Sequence, residues 1–107
     1  MDEEQAALRL SALGNPTRLR LFRLLVRAGP KGLNVGDLQR LLGVPGSTLA
    51  HHIAALVKAD LLLQERRGRE VICAANYGVM NGLVAYLTEQ CCAGVEAGGE
   101  AFVAGHG

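Results

Sequence analysis

The chain has 107 residues, with 11 Lys and Arg against 10 Asp and Glu, a length that predicts one domain with a modest core. Hydrophobic residues are 50% and charged residues 20%, which excludes a disordered chain. Three Cys are too few and too odd for a disulfide scaffold. No run of 18 apolar residues occurs and the N-terminus is acidic (Asp2, Glu3, Glu4). Neither a membrane span nor a signal peptide is expected, and a cytoplasmic location is. Leu and Ala dominate and Trp is absent, which favours helices over a β-sandwich.

In chain order, residues 4–13 read as a first helix, with Ala6, Leu10 and Leu13 at helical spacing. Gly14 breaks it. Asn15 then caps a second helix with Pro16 at its first position, where the missing N–H costs nothing. This helix runs to about Ala28 and stops at Gly29-Pro30. Its Arg20, Arg23 and Arg27 fall within about 60° of one another at 100° per residue and read as a solvated face. Asn34 caps a short third helix, with Asp37 in its first turn and Leu38, Leu41 and Leu42 as its apolar face. After a turn at residues 43–46, Ser47 is expected to cap a fourth helix reaching about Ala59. Residues 61–65 and 70–74 read as two strands, joined through Arg66, Arg67, Gly68 and Arg69 as a hairpin. Asn76 caps a last helix to about Cys92. Residues 1–92 are therefore assigned to one domain, and 93–107, with five Gly, to a flexible tail.

The near-neutral total hides an uneven distribution. Residues 1–15 carry Arg9 against three acids. Residues 16–75 carry ten basic side chains against four acidic ones, and residues 76–107 carry only Glu89, Glu96 and Glu100. A basic middle between acidic ends suits a polyanion-facing module. Two helices joined by a short turn and followed by a basic hairpin make a winged helix-turn-helix, so the fold expected is mainly α with a small β-hairpin. On the fourth helix Leu49, Ile53 and Leu56 form an apolar stripe. The opposite arc holds Ser47, Thr48, His51, Ala54, Ala55 and Lys58, with no carboxylate. Small residues, hydrogen-bonding groups and a terminal cation are what a helix in a major groove requires. Ser47, Thr48, His51 and Lys58 are the candidate DNA contacts on this helix. Arg66, Arg67 and Arg69 are the candidates on the wing, toward phosphates or a minor groove. His52 lies nearer the apolar stripe and is expected to be a buried, hydrogen-bonded structural residue. Nothing in the pattern suggests an enzyme: phosphate loop, carboxylate pair and Ser-His-Asp arrangement are all missing.

Residues 12–25 (ALGNPTRLRLFRLL) resemble the second-helix signature of the ArsR/SmtB bacterial repressors. Residues 46–56 (GSTLAHHIAAL) and 59–62 (ADLL) resemble their recognition helix and the start of their wing. The likeness covers about residues 5–92. One departure is Ala50, where many members carry Ser. The resemblance implies a homodimer joined through the first and last helices, bound to double-stranded operator DNA without any cofactor and released by an effector. Members that hold a metalloid through a Cys-x-Cys pair place it where this chain has Asn34 and Gly36. Members that bind zinc use Asp and His on the last helix, and residues 77–90 have neither.

Cys73, Cys91 and Cys92 remain as effector ligands. On a last helix reaching Cys92, Cys91 shares a stripe with Met80, Leu83 and Leu87, the expected dimer face, while Cys92 points about 100° away unless the helix end frays. Cys73 is expected on the second wing strand, on the side of Val71. Convergence of the three thiols, within one subunit or across a dimer, would suit a soft centre. Trivalent arsenic or antimony takes three sulfurs, and a methylated arsenical takes two. Relatives with a vicinal Cys pair at the end of the last helix are associated with As(III), Sb(III) or methylarsenite, so the resemblance implies such an effector. A thiol redox or persulfide switch is the alternative. Tetrahedral zinc would need a fourth ligand, for which only His106 offers itself.

Overall fold

The structure is a computed structural model, and it describes residues 1–96. The elements in order are α1 (Glu3–Leu13), α2 (Pro16–Ala28), β1 (Leu33–Asn34), α3 (Val35–Leu42), α4 (Gly46–Lys58), β2 (Leu62–Arg67), β3 (Glu70–Ala75) and α5 (Tyr77–Thr88). The sheet order is β1-β3-β2, antiparallel throughout. This is the five-helix winged fold expected, with one strand more than the hairpin. The tail assignment falls mainly on residues 97–107, and His106 among them; both lie outside the described residues.

Local chemistry sets most element starts. Asn15 Oδ1 accepts from the backbone N–H of Thr17 (3.0 Å) and Arg18 (3.1 Å). Asn34 and Asn76 likewise cap α3 and α5. The start of α1 is a reciprocal box: Asp2 accepts from the Gln5 N–H (2.8 Å), and the Gln5 amide oxygen accepts from the Asp2 N–H (3.0 Å). Ser47 does not cap α4. The helix begins one residue earlier, Pro45 occupies the cap position, and no side chain bonds there.

The core is leucine. Leu21, Leu25, Leu38, Leu49, Leu56, Leu61 and Leu62 are fully buried together with Cys73. Each such leucine contributes roughly 1.5–3 kcal/mol over an exposed one, and Leu56→Ala should cost about 2–5 kcal/mol through the cavity it leaves. β1 is anchored to this core by pairing Leu33 with Cys73 and Asn34 with Ile72. Gly32 makes the approach possible: its φ is 70°, and a Cβ there would collide with the Cys73 carbonyl oxygen.

The two outer helices are more weakly committed to the core. α1 buries Ala6, Arg9 and Ala12 but leaves Leu8 and Leu10 exposed. α5 buries only Leu83, and Val84 and Leu87 are 58% and 57% exposed. The expected stripe of Met80, Leu83 and Leu87 is therefore split. Met80 and Leu83 face the protomer's own interior, and Leu87 faces outward with Val84. α5 also stops at Thr88, short of Cys92. Past Leu87 every described side chain is exposed, so nothing packs against a further turn to hold it.

Candidate nucleic-acid interface and thiol pair

α4 presents the expected two faces. Leu49, Ile53 and Leu56 are buried against the core, while Ser47, Thr48, His51, Ala54 and Lys58 are exposed and Ala55 partly so. Ser47 and Thr48 occupy the first turn. No side chain caps the backbone N–H groups of that turn, and uncapped N–H groups at a helix start favour an anion. Lys58 is the one cation of the last turn. The arc can thus offer donors at one end, small side chains in the middle and a positive charge at the other end.

The two histidines differ. His51 is exposed, its ring centroid 6.0 Å from that of His52 at 63°. His52 is half-buried, but its Nδ1 is buried with no hydrogen-bond partner among the described residues. The expectation of a hydrogen-bonded structural histidine is corrected on that point. Burial first, then the charges of Arg18 and His51, push its pKa below the ordinary value, which disfavours the charged ring.

The wing turns through Gly68 at φ 62° and Arg69, leaving Arg66 and Arg67 on β2 itself. All three arginines are exposed. Arg67 is held by Glu65 at 3.1 Å, whose hydrogen bond and charge raise its pKa further. Arg66 and Arg69 form no ion pair among the described residues, so their guanidinium groups are less engaged than that of Arg67.

Sequence reasoning missed Arg9. Its side chain is only 10% exposed; Nε donates to the Ala59 carbonyl oxygen at 3.0 Å, and Nη2 lies 3.4 Å from Asp60. It ties α1 to the C-terminal end of α4, where a cation is favoured. The available signal was its place between Ala6 and Ala12 on the inward face of α1.

The thiols divide into two settings. Cys73, on β3, pairs in register with Leu33 and Gln64 and is fully buried. Burial pushes its pKa up, offset in part by Gln64. Cys91 and Cys92 lie beyond α5 and are exposed. Gln90 at φ 57° and Cys92 at φ 63° unwind the chain into left-handed positions, which turns Cys92 back so that its Sγ lies 3.4 Å from that of Cys91. Among the described residues no group of three or more His, Cys, Asp or Glu is placed to hold a metal ion. The structure thus joins Cys91 to Cys92 and does not bring Cys73 to them.

Comparison with known proteins agrees with this architecture. The helix-turn-helix domain family matches residues 13–65. The chain is 28% identical over 89 residues to the HTH-type transcriptional regulator YgaV of Escherichia coli K12, covering 83% of this chain and 88% of that protein. A solved structure of an ArsR family transcriptional regulator superimposes with a TM-score of 0.71 at 27% identity, covering 84% of this chain and 90% of that one. A possible transcriptional regulator for arsenical resistance gives 0.65 at 25% identity, over 74% and 79% of the two chains. No helix among the described residues is long and apolar enough to cross a membrane. By motif, fold and relatives, the chain is similar to ArsR-family winged-helix transcriptional regulators, and the domain and the relatives it matches are transcription regulators, not enzymes.

Proposed function

We propose that this regulator represses transcription by binding double-stranded operator DNA as a homodimer, and that a trivalent arsenical bonded to Cys91 and Cys92 releases it. The observation that carries the effector reading is the 3.4 Å separation of two exposed sulfurs. With thiolate bonds of about 2.3 Å, sulfurs so placed subtend about 95° at a shared centre, nearer a pyramidal trivalent atom than a tetrahedral zinc at about 109°. Two thiols match a methylated arsenical: each S–H is replaced by an S–As bond, and two hydroxyls leave arsenic as water. The possible arsenical-resistance regulator among the structural relatives supports the same class of effector. A three-sulfur site for arsenite or antimonite would need Cys73, which lies inside the protomer's core.

DNA contact is assigned to Ser47, Thr48, His51 and Lys58 of α4 and to Arg66, Arg67 and Arg69 of the wing. The exposed Leu8 and Leu10 of α1 and Val84 and Leu87 of α5 supply the apolar surface for a two-fold seam. Such a dimer sets its recognition helices about 34 Å apart, one DNA turn. Leu87→Glu should give monomers in sedimentation that bind DNA poorly, and a folded dimeric Leu87→Glu protein excludes the seam. Thr48→Ala should weaken binding at the preferred operator only. Arg66→Ala should weaken it on all sequences and shallow the salt slope by about one unit.

The switch needs differential binding: moving from 99:1 to 1:99 takes roughly 5.5 kcal/mol, within reach of two arsenic–sulfur bonds. The test is DNA release by methylarsenite, arsenite, antimonite, zinc and a persulfide donor on the wild type and on each Cys→Ser variant. Cys91→Ser and Cys92→Ser should abolish release by methylarsenite and Cys73→Ser should retain it. Release by the persulfide donor alone would assign the pair to redox sensing, and unchanged release in all three variants would remove the cysteines from the switch.

A further inference from the structure

α2 and α3 enclose an open cleft of about 470 Å³ that no part of the DNA or thiol reading uses. Its apolar wall includes Leu19 and Leu41, which are 44% and 55% exposed, and Leu42 beneath them. Arg20, Arg23 and Arg27 line the same cleft. The ion pairs among the described residues are Arg9–Asp60, Arg40–Asp37 and Arg67–Glu65, so these three guanidinium groups have no carboxylate partner there.

Both halves of this surface are unfavourable when empty. Like charges three and four residues apart on a helix repel, and large leucines half exposed side by side leave apolar area in water. An occupant that lays hydrocarbon on the leucines and an anionic head among the arginines relieves both. The volume falls in the range of about 300–1,000 Å³ usual for small-molecule sites. A planar guanidinium fork is suited to a carboxylate or phosphate head. DNA backbone supplies anions but nothing for Leu19 and Leu41.

We propose that the α2–α3 cleft is a second ligand site, for an amphipathic organic anion with a hydrocarbon or aromatic body and a carboxylate or phosphate head. The probe is decanoate, titrated into the full chain and followed by amide shifts in nitrogen-15 spectra. Saturable shifts should centre on Leu19, Arg23 and Leu41, with decyltrimethylammonium and decanol each at least about tenfold weaker, the loss expected for one charge-assisted contact. Arg23→Gln combined with Arg27→Gln should weaken decanoate by a similar factor and leave operator affinity and thiol-dependent release unchanged. Equal binding of the cationic probe, shifts spread over α1 and α5, or full decanoate affinity in the double variant would overturn the site. Loss of DNA affinity in that variant with decanoate binding intact would give the arginines to the phosphate backbone instead.

Discussion

Two parts of the chain carry sulfur, the three-stranded sheet and the segment after α5, and they differ in the properties that set thiol reactivity. Cys73 is fully buried, flanked in register by Leu33 and Gln64, with a pKa raised by burial. It is a protonated thiol acting as a small apolar side chain. Cys91 and Cys92 are exposed, their sulfurs 3.4 Å apart, on a segment where Gln90 and Cys92 take left-handed conformations and every described side chain is exposed. The same functional group is a structural filler in one place and an available ligand pair in the other. Accessibility makes the difference, since the thiolate must form and be reached before it can bond a soft centre.

The largest effect that could break this comparison is in the effector response, where Cys91→Ser should lose release by methylarsenite altogether and Cys73→Ser should keep it; the reverse pattern would invert the roles. Next comes alkylation. Cys73 should react only through opening of the core, so with a domain stability of about 5 kcal/mol or more it should label at least roughly a thousandfold more slowly than the pair. Mass spectrometry of timed iodoacetamide quenches reads this ratio. Stability sharpens the contrast in the opposite sense. Cys73→Ser buries a hydroxyl among leucines and should cost about 1–3 kcal/mol in urea unfolding, whereas Cys91→Ser should stay within about 0.5 kcal/mol of the wild type.

The smallest expected effect is in the alkaline limb of stability. Cys73 has a folded pKa above its unfolded one, so the unfolded chain loses its proton first. The stability linked to this group is complete below the ordinary thiol pKa and falls as pH climbs past it. Cys73→Val should flatten that decline, and an unchanged alkaline slope would show that the thiol ionises as freely inside as outside.

What the sequence showed and what it hid follow from the range of the forces involved. Asn15 with Pro16, Asn34 and Asn76 announce helix starts because a cap acts on the next two or three residues. The α4 arc was legible because the helical period stacks Leu49, Ile53 and Leu56 on one face and turns Thr48, His51 and Lys58 to the other. β1 was not, since two residues carry no alternation and exist as a strand only by pairing with Cys73 and Ile72. The end of α5 was misplaced for a related reason. Composition permits a helix to Cys92, but no core lies beneath its last turn. The burial of Cys73 and the separation of the thiols belong to the same class: strand alternation put Cys73 on the Val71 side but could not say that this side meets the leucines. Ser47 was misassigned because Pro45, two residues earlier, already takes the extended conformation that a cap position needs.

The Arg9 contact with Ala59 has a consequence for how the protomer comes apart. α1 is fastened by two alanines and one buried guanidinium, and most of the large leucines lie in α2, α3, α4 and the sheet. Its attachment rests on the Arg9 bond to the Ala59 carbonyl oxygen, on the Arg18 Nε bond to the Ala12 carbonyl oxygen (2.7 Å) and on the small contact of Ala12 and Leu13 with the core, so its opening exposes little apolar area. Amide exchange should accordingly sort into tiers, with α1 opening as a unit well below the global unfolding free energy and the α2–α4 amides persisting to it. Because the released Ala59 carbonyl belongs to the C-terminal end of α4, each such opening also frees α4 at the end remote from Ser47 and Thr48.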